Sequence, residues 1–284
     1  MNIFQALFLG LVQGLTEFLP ISSSAHIRIM SSLMQLGDTG AAFTAITQIG
    51  TEAAVILYFR HDIKRLFLGW LHSLSGKDGA DWKSRLGKNN IDARQAWYIV
   101  LGSMPVVILG LLLKGQIETV FRNLWLTATV LIVFGLILGF ADKTGKKVKN
   151  IKDLNIPSTL IFGIGQAMAL IPGVSRSGGS ITAGLLAGFD RKAAARYSFL
   201  LAIPAVFGSG IFELIDTIKH PLADFPGFFP TFLATLVAFI VGYLVIIGFL
   251  KLISNHSFAG FVYYRVIIGL LLAIILALGV IQPV

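Results

Sequence analysis

The sequence predicts an all-α integral membrane protein arranged as an inverted-topology repeat, with six transmembrane helices plus two re-entrant helix pairs, about ten helices in all. Three observations carry this expectation. Hydrophobic residues make up 55% of the 284, charged residues only 13%, and the mean hydropathy is +0.81, which leaves too few solvated groups to cover a water-soluble globule. Basic residues collect in short loops between apolar segments, the placement that sets membrane topology. Two hydrophobic regions, 3–34 and 156–190, are broken near their middles, one by Pro20 with three serines and the other by Pro172-Gly173 with the run SRSGGS.

Taken in order, the chain opens MNIFQALFLG, with neither a basic n-region nor a small-residue cleavage site, so the first apolar segment is expected to stay in the mature protein. The region 3–34 reads as the first re-entrant pair. Full spans follow at 43–59, 97–113, 124–140, 198–215, 229–250 and 262–281, each close to the roughly 20 apolar residues a spanning helix needs. The region 156–190 is the second re-entrant pair. The loop from Arg60 to Arg94 carries eight Lys or Arg against four Asp, and Asp142 to Asp153 carries five Lys against two Asp. Both are expected to be cytoplasmic, and the two spans between them return the chain to the same side. If each re-entrant pair returns to the side it left, the chain starts outside and leaves the second hairpin near the cytoplasmic Arg191, Lys192 and Arg196. Three further spans then end it outside.

Laying 10–24 over 163–177, an offset of 153, matches Gly10 with Gly163, Gln13 with Gln166, Ser22 with Ser175 and Ser24 with Ser177. The matches fall on the polar breaks. A single membrane domain over 1–284 then divides into a first half, 1–150, and a second, 151–284, each with one re-entrant pair and three spans. An odd number of spans inverts the second half, and interrupted segments at corresponding positions mark a binding site between inverted repeats.

No cysteine is present, which excludes disulfides, thiolate zinc sites and a cysteine nucleophile. The net charge of +9 sits in topology-setting loops and does not point to nucleic acid.

The first break, QGLTEFLPISSSAH, places Gln13 and Glu17 four apart on one helix face. Ser22, Ser23, Ser24 and His26 follow Pro20. An ionisable side chain at membrane depth costs at least a few kcal/mol, about 2.5 or more, so Glu17 and His26 are functional candidates. The serines also read as an N-cap for the next helix, and a helix N-terminus is an anion site. The second break, IPGVSRSGGSITAG, sets Arg176 between Ser175 and Ser177. Guanidinium grips phosphate with a bidentate fork, so an arginine in a membrane-buried break implies an anion. If the breaks face each other, Glu17, His26 and the serines meet Arg176 and two helix N-termini, a constellation suited to a diphosphate. A separation of Arg176 from Glu17 beyond about 15 Å would refute that arrangement. Glu52, with Gln48 one turn earlier, is open between a site contact and a polar packing partner. Glycine spacing such as Gly184 to Gly188 reads as helix packing, and His61, His72, His220 and His256 read as solvated loop residues.

QGLTEFLPISSSAH and PGVSRSGG resemble the two signature segments of the bacterial undecaprenyl-diphosphate phosphatase family, the BacA type associated with bacitracin resistance, and TQIGTEAAVILYFR and RYSFLLAIPAVFG extend the likeness over nearly the whole chain. The resemblance implies hydrolysis of undecaprenyl diphosphate to the monophosphate and inorganic phosphate, recycling the cell-wall lipid carrier. It further implies a bacterial cell membrane location, a divalent cation such as Mg²⁺ or Ca²⁺, and an active site opening to the outer face. By motif position Gln13 and Glu17 fill the family's Glu/Gln-xxx-Glu pair and are the metal candidates, Ser23 is the nucleophilic serine, His26 the motif histidine and Arg176 the phosphate-binding arginine. Gln13 stands where the family often has glutamate, so a cation is held less tightly. Ser24-Ala25 replaces Thr-Gly before His26, and Val174 and Gly179 each lack a hydroxyl that the family more typically has.

The expected chemistry is in-line attack on the terminal phosphorus by Ser23, activated by Glu17 or His26, or by water with one of them as general base. Ser22, Ser24, Ser175 and Ser177 line the phosphate. The rival reading is a polyprenyl-phosphate flippase or transporter, which needs an anion site but no nucleophile. A purely structural membrane subunit leaves the buried charges without a role. The partners expected are the polyprenyl diphosphate and membrane lipids, with room for a homodimer and none for nucleic acid.

Overall fold

The computed structural model describes residues 1–36, 40–118, 121, 123–220 and 225–283. Thirteen α-helices follow one another among them: α1 (Ile3–Thr16), α2 (Ser23–Leu33), α3 (Gly40–Tyr58), α4 (Arg60–Leu74), α5 (Trp82–Arg85), α6 (Ile91–Leu112), α7 (Lys114–Glu118), α8 (Leu124–Thr144), α9 (Ile156–Ala167), α10 (Arg176–Leu186), α11 (Arg191–Lys219), α12 (Phe228–Asn255) and α13 (Ala259–Ala277). Five of these, α6, α8, α11, α12 and α13, are long and apolar enough to cross a membrane. The expected span 43–59 lies in a pair, α3 and α4, bent by 78° at Phe59, which makes a sixth span if the bent pair is taken as one. Much of the basic loop from Arg60 to Arg94 is helical, because α4 carries Leu66, Phe67, Trp70 and Leu71 among its charges; His61 and His72 therefore lie on a helix. This multi-pass membrane chain turns apolar side chains such as Leu111, Phe140, Phe229 and Leu244 outward, where lipid replaces water.

Side chains fix where the helices begin. Asn2 and Asn155 form capping boxes at α1 and α9, and Asn90, Asn123 and Asp190 cap α6, α8 and α11. Close backbone approach seats the two hairpins. A Cβ on Gly10 would stand 2.4 Å from the Ala234 carbonyl oxygen on α12, and one on Gly163 the same 2.4 Å from that of Gly102 on α6. No larger residue fits at either crossing.

Asp142 ties together three chain ends at one face. Its carboxylate accepts from Arg191 Nε at 2.6 Å and Nη2 at 3.1 Å, and from the Phe258 backbone N–H at 2.9 Å. It thereby joins α8 to the starts of α11 and α13. Asp142→Ala leaves a partly buried guanidinium and a buried N–H without acceptors, an expected loss of about 2 to 3 kcal/mol. A fall in the thermal unfolding midpoint, followed by tryptophan fluorescence in detergent, checks this; an unchanged midpoint contradicts it.

Candidate active site

The first break is built by the end of α1 and the start of α2. Gln13 and Glu17 lie one turn apart, and Gln13 Nε2 donates to Glu17 Oε2 at 2.8 Å. The chain then turns through Phe18–Ile21 and reverses at Ser22, which adopts φ 73°. That left-handed conformation costs a β-carbon-bearing residue about 1 kcal/mol or more, and here it aims the next residue back at α1. Ser23 opens α2 and its hydroxyl donates to Glu17 Oε2 at 2.5 Å.

The second break repeats this geometry 153 residues later. After α9 and a 3₁₀ turn, Pro172 and Gly173 stop the helix and Ser175 takes the same φ of 73° before Arg176 opens α10. The capping differs. Ser175 Oγ accepts from the Gly178 N–H at 3.1 Å, whereas the Ser22 hydroxyl makes no cap bond and lies 3.3 Å from that of Ser24. Ser22 thus takes the N-cap position expected at α2 but makes no side-chain cap bond to the first N–H groups of that helix.

The two breaks face each other. Arg176 Nη2 donates to Glu17 Oε1 at 2.9 Å and to Glu52 Oε1 at 3.0 Å, far inside the 15 Å limit set above. Ser177 Oγ donates to the carbonyls of Leu19 at 3.0 Å and Glu17 at 3.3 Å, and lies 3.1 Å from Ser175 Oγ. From α3, Gln48 Nε2 donates to Glu17 Oε2 at 3.4 Å, and Glu52, 0% exposed, is committed to Arg176. These groups border a cleft of about 260 Å³ lined by Glu17, Ser22, Ser23, Ser24, Gln48, Ser175 and Arg176, with Ile117, Phe121, Leu170 and Pro172 as its apolar wall. Glu52 stays behind that lining.

Four buried atoms here have no hydrogen-bond partner: Arg176 Nε and Nη1, Gln13 Oε1 and Glu52 Oε2. Leaving such groups unpaired costs about 1 to 3 kcal/mol each, more where charged. The two nitrogens are unused phosphate donors, and the two oxygens are of the type that binds Mg²⁺ or Ca²⁺. No group of three His, Cys, Asp or Glu stands ready for a metal among the described residues. A cation would rely on Glu17, Glu52 and the Gln13 amide oxygen.

His26 differs from the expectation. Its ring is turned away from the cleft, with Nδ1 2.7 Å from the Ser22 carbonyl and Nε2 2.8 Å from the Tyr264 hydroxyl. A carbonyl only accepts, so Nδ1 carries the proton, and the neutral ring's Nε2 accepts from Tyr264. The histidine braces the break rather than touching Ser23.

Arg265 was not expected at the site at all. This α13 residue, 1% exposed, donates to the carbonyls of Pro20 at 3.0 Å, Gly173 at 2.6 Å, Val174 at 2.9 Å and Leu131 at 3.2 Å. One guanidinium thus holds both breaks and α8 through backbone alone. The signal was available, since Arg265 interrupts the apolar run 262–281.

The family model described as bacitracin resistance protein BacA matches residues 6–271. The chain is similar to a protein of Bifidobacterium adolescentis named undecaprenyl-diphosphatase, 56% identical over 287 residues covering 100% of this chain and 98% of that one. Proteins of the same name in Paenarthrobacter aurescens and Renibacterium salmoninarum are each 54% identical, covering 99% of this chain and 100% and 98% of theirs.

Proposed function

We propose, since the chain belongs to the BacA family of bacitracin resistance proteins, that it is an undecaprenyl-diphosphatase, hydrolysing undecaprenyl diphosphate to undecaprenyl phosphate and inorganic phosphate in a bacterial cell membrane. The observation that carries the reading is the Ser23 hydroxyl 2.5 Å from a Glu17 carboxylate, in a cleft where Arg176 keeps two unused donors. A flippase needs no such nucleophile and base.

Glu17 takes the Ser23 proton as Oγ attacks the terminal phosphorus. The Oγ–P bond forms while the bond from that phosphorus to the bridging oxygen breaks, and undecaprenyl phosphate leaves. Glu17 passes its proton to the departing phosphate; water then attacks the phosphorus and gives a proton to Glu17, the P–Oγ bond breaks, and Glu17 returns that proton to Ser23 Oγ as inorganic phosphate is released. Arg176 and the N–H groups at the starts of α2 and α10 offset charge on the phosphoryl oxygens. Ser22, Ser24 and Ser175 offer hydroxyls to the same group, while Ser177 ties the two breaks together. A divalent cation such as Mg²⁺ or Ca²⁺, held by Glu17, Glu52 and Gln13, would add charge neutralisation when bound. His26 keeps Ser22 in place in this reading and moves no proton.

The same serine conformation 153 residues apart, each opening an 11-residue helix, supports reading 1–150 and 151–284 as inverted halves with the cleft between them. The basic segments around α4 and 142–153 then face the cytoplasm and the cleft opens outward.

Ser23→Ala and Ser23→Cys, purified in detergent and assayed for phosphate release from a prenyl diphosphate, test the mechanism. The alanine variant is expected to lose about a thousandfold or more. Release at the full rate by that variant would exclude the covalent route and leave direct attack by water.

A further inference from the structure

We infer that Arg28 binds the lipid-side phosphate of the diphosphate and so lets this cleft distinguish a prenyl diphosphate from a single phosphate. The inference rests on the activity proposed above and adds a residue outside both signature breaks.

Charge at the cleft floor motivates it. Glu17 and Glu52 set two carboxyl groups against the single guanidinium of Arg176, so this hydrogen-bonded group holds no surplus positive charge of its own. Such a floor leaves no cationic side chain over for a second phosphate. The uncapped start of α2 and the two unused Arg176 nitrogens suffice to grip one phosphoryl group. A second phosphate brings further negative charge and needs its own cation. Arg28 is the other positively charged side chain among the described residues that line the cleft.

Its place on α2 fits. Ser24 and Arg28 are four residues apart and both line the cleft, as does Ile27, so one helix face borders it. Since α2 begins at the floor with Ser23, Arg28 stands about 6 Å farther along the axis than Ser24. Helical side chains lean back toward the helix N-terminus, so from there its guanidinium extends toward a phosphate joined to one held against Ser23 and Arg176. The facing wall of Ile117, Phe121, Leu170 and Pro172 offers no charge and suits the start of a prenyl chain. The guanidinium fork matches phosphate oxygens as a lysine ammonium does not.

The lipid-side phosphate is charged before the reaction and gains charge as the bridging oxygen leaves, so losing its partner raises KM and also lowers kcat. The test uses the full chain in detergent with Arg28→Ala and Arg28→Lys, farnesyl diphosphate as substrate and inorganic phosphate as inhibitor. Arg28→Ala is expected to raise KM about ten- to a hundredfold and to lower kcat, with an unchanged unfolding midpoint and unchanged inhibition by inorganic phosphate, which needs only the floor. Arg28→Lys recovers part of the loss. An unchanged KM overturns the inference, and so does a parallel weakening of inorganic phosphate, which assigns Arg28 to the floor site. Failure of the unaltered protein to release phosphate from farnesyl diphosphate would instead overturn the activity itself.

Discussion

Arg176→Ala is expected to reduce phosphate release by about a hundredfold to ten-thousandfold, the range for removing a preorganised charge partner of a transition state. The guanidinium does two things at once. Its Nη2 separates Glu17 from Glu52, which are 3% and 0% exposed, and its Nε and Nη1 remain available to a phosphate. Removing it leaves two buried carboxylates facing each other with no counter-charge, so folding suffers as well. Adding Glu52→Gln separates the two roles. The double variant regains unfolding temperature because one charge is gone, yet stays inactive because no donor replaces the guanidinium. Recovery of activity in the double variant would reduce Arg176 to a counter-ion. Arg176→Lys restores a charge without the fork and is expected to fall between the two.

Arg265→Met is the second large effect. Four carbonyls accept from this side chain, and three of them, those of Pro20, Gly173 and Val174, belong to the breaks that present Glu17, Ser23 and Arg176. Each orphaned buried carbonyl costs about 1 to 3 kcal/mol. The arginine's own burial without a carboxylate is also costly, and methionine removes that cost, so the net destabilisation is smaller than the sum, about 2 to 4 kcal/mol. Activity is expected to fall further than stability explains, about a hundredfold at a temperature where the variant stays folded, since a shift of about 1 Å in a catalytic group is enough for that. Phosphate release and thermal unfolding on one preparation check both parts. A folded variant with normal kcat and KM would show that the breaks hold their shape without the clamp.

The helical membrane architecture was legible because hydropathy and loop charge report on solvent directly, and lipid leaves few ways to satisfy a backbone. The breaks were legible because Pro20, Pro172 and clustered serines are costly in a span unless they serve a ligand. What stayed hidden depended on side-chain direction. Ser22 and Ser175 are the same residue type in the same backbone conformation, yet only Ser175 caps its helix. His26, in the motif beside Ser23, looks outward to Tyr264. Glu52 could be read as packing or as site, and its bond to Arg176 is a contact that only the three-dimensional arrangement reveals. The bend at Phe59 and helix α4 were obscured because α4 opens with Arg60, Asp62, Lys64 and Arg65, which lower its mean hydropathy to that of a loop.

The clamp at Arg265 also imposes an order in time. Ribosomal synthesis delivers the first break early and the second well over a hundred residues later, but the side chain that fastens them together follows later still, on α13. A nascent protein lacking α13 carries every group proposed to meet the phosphate and still has Pro20, Gly173 and Val174 without their shared donor. Competence therefore waits for the insertion of α13, and a translation product truncated before residue 265 is expected to remain inert in the bilayer even if its other helices have docked.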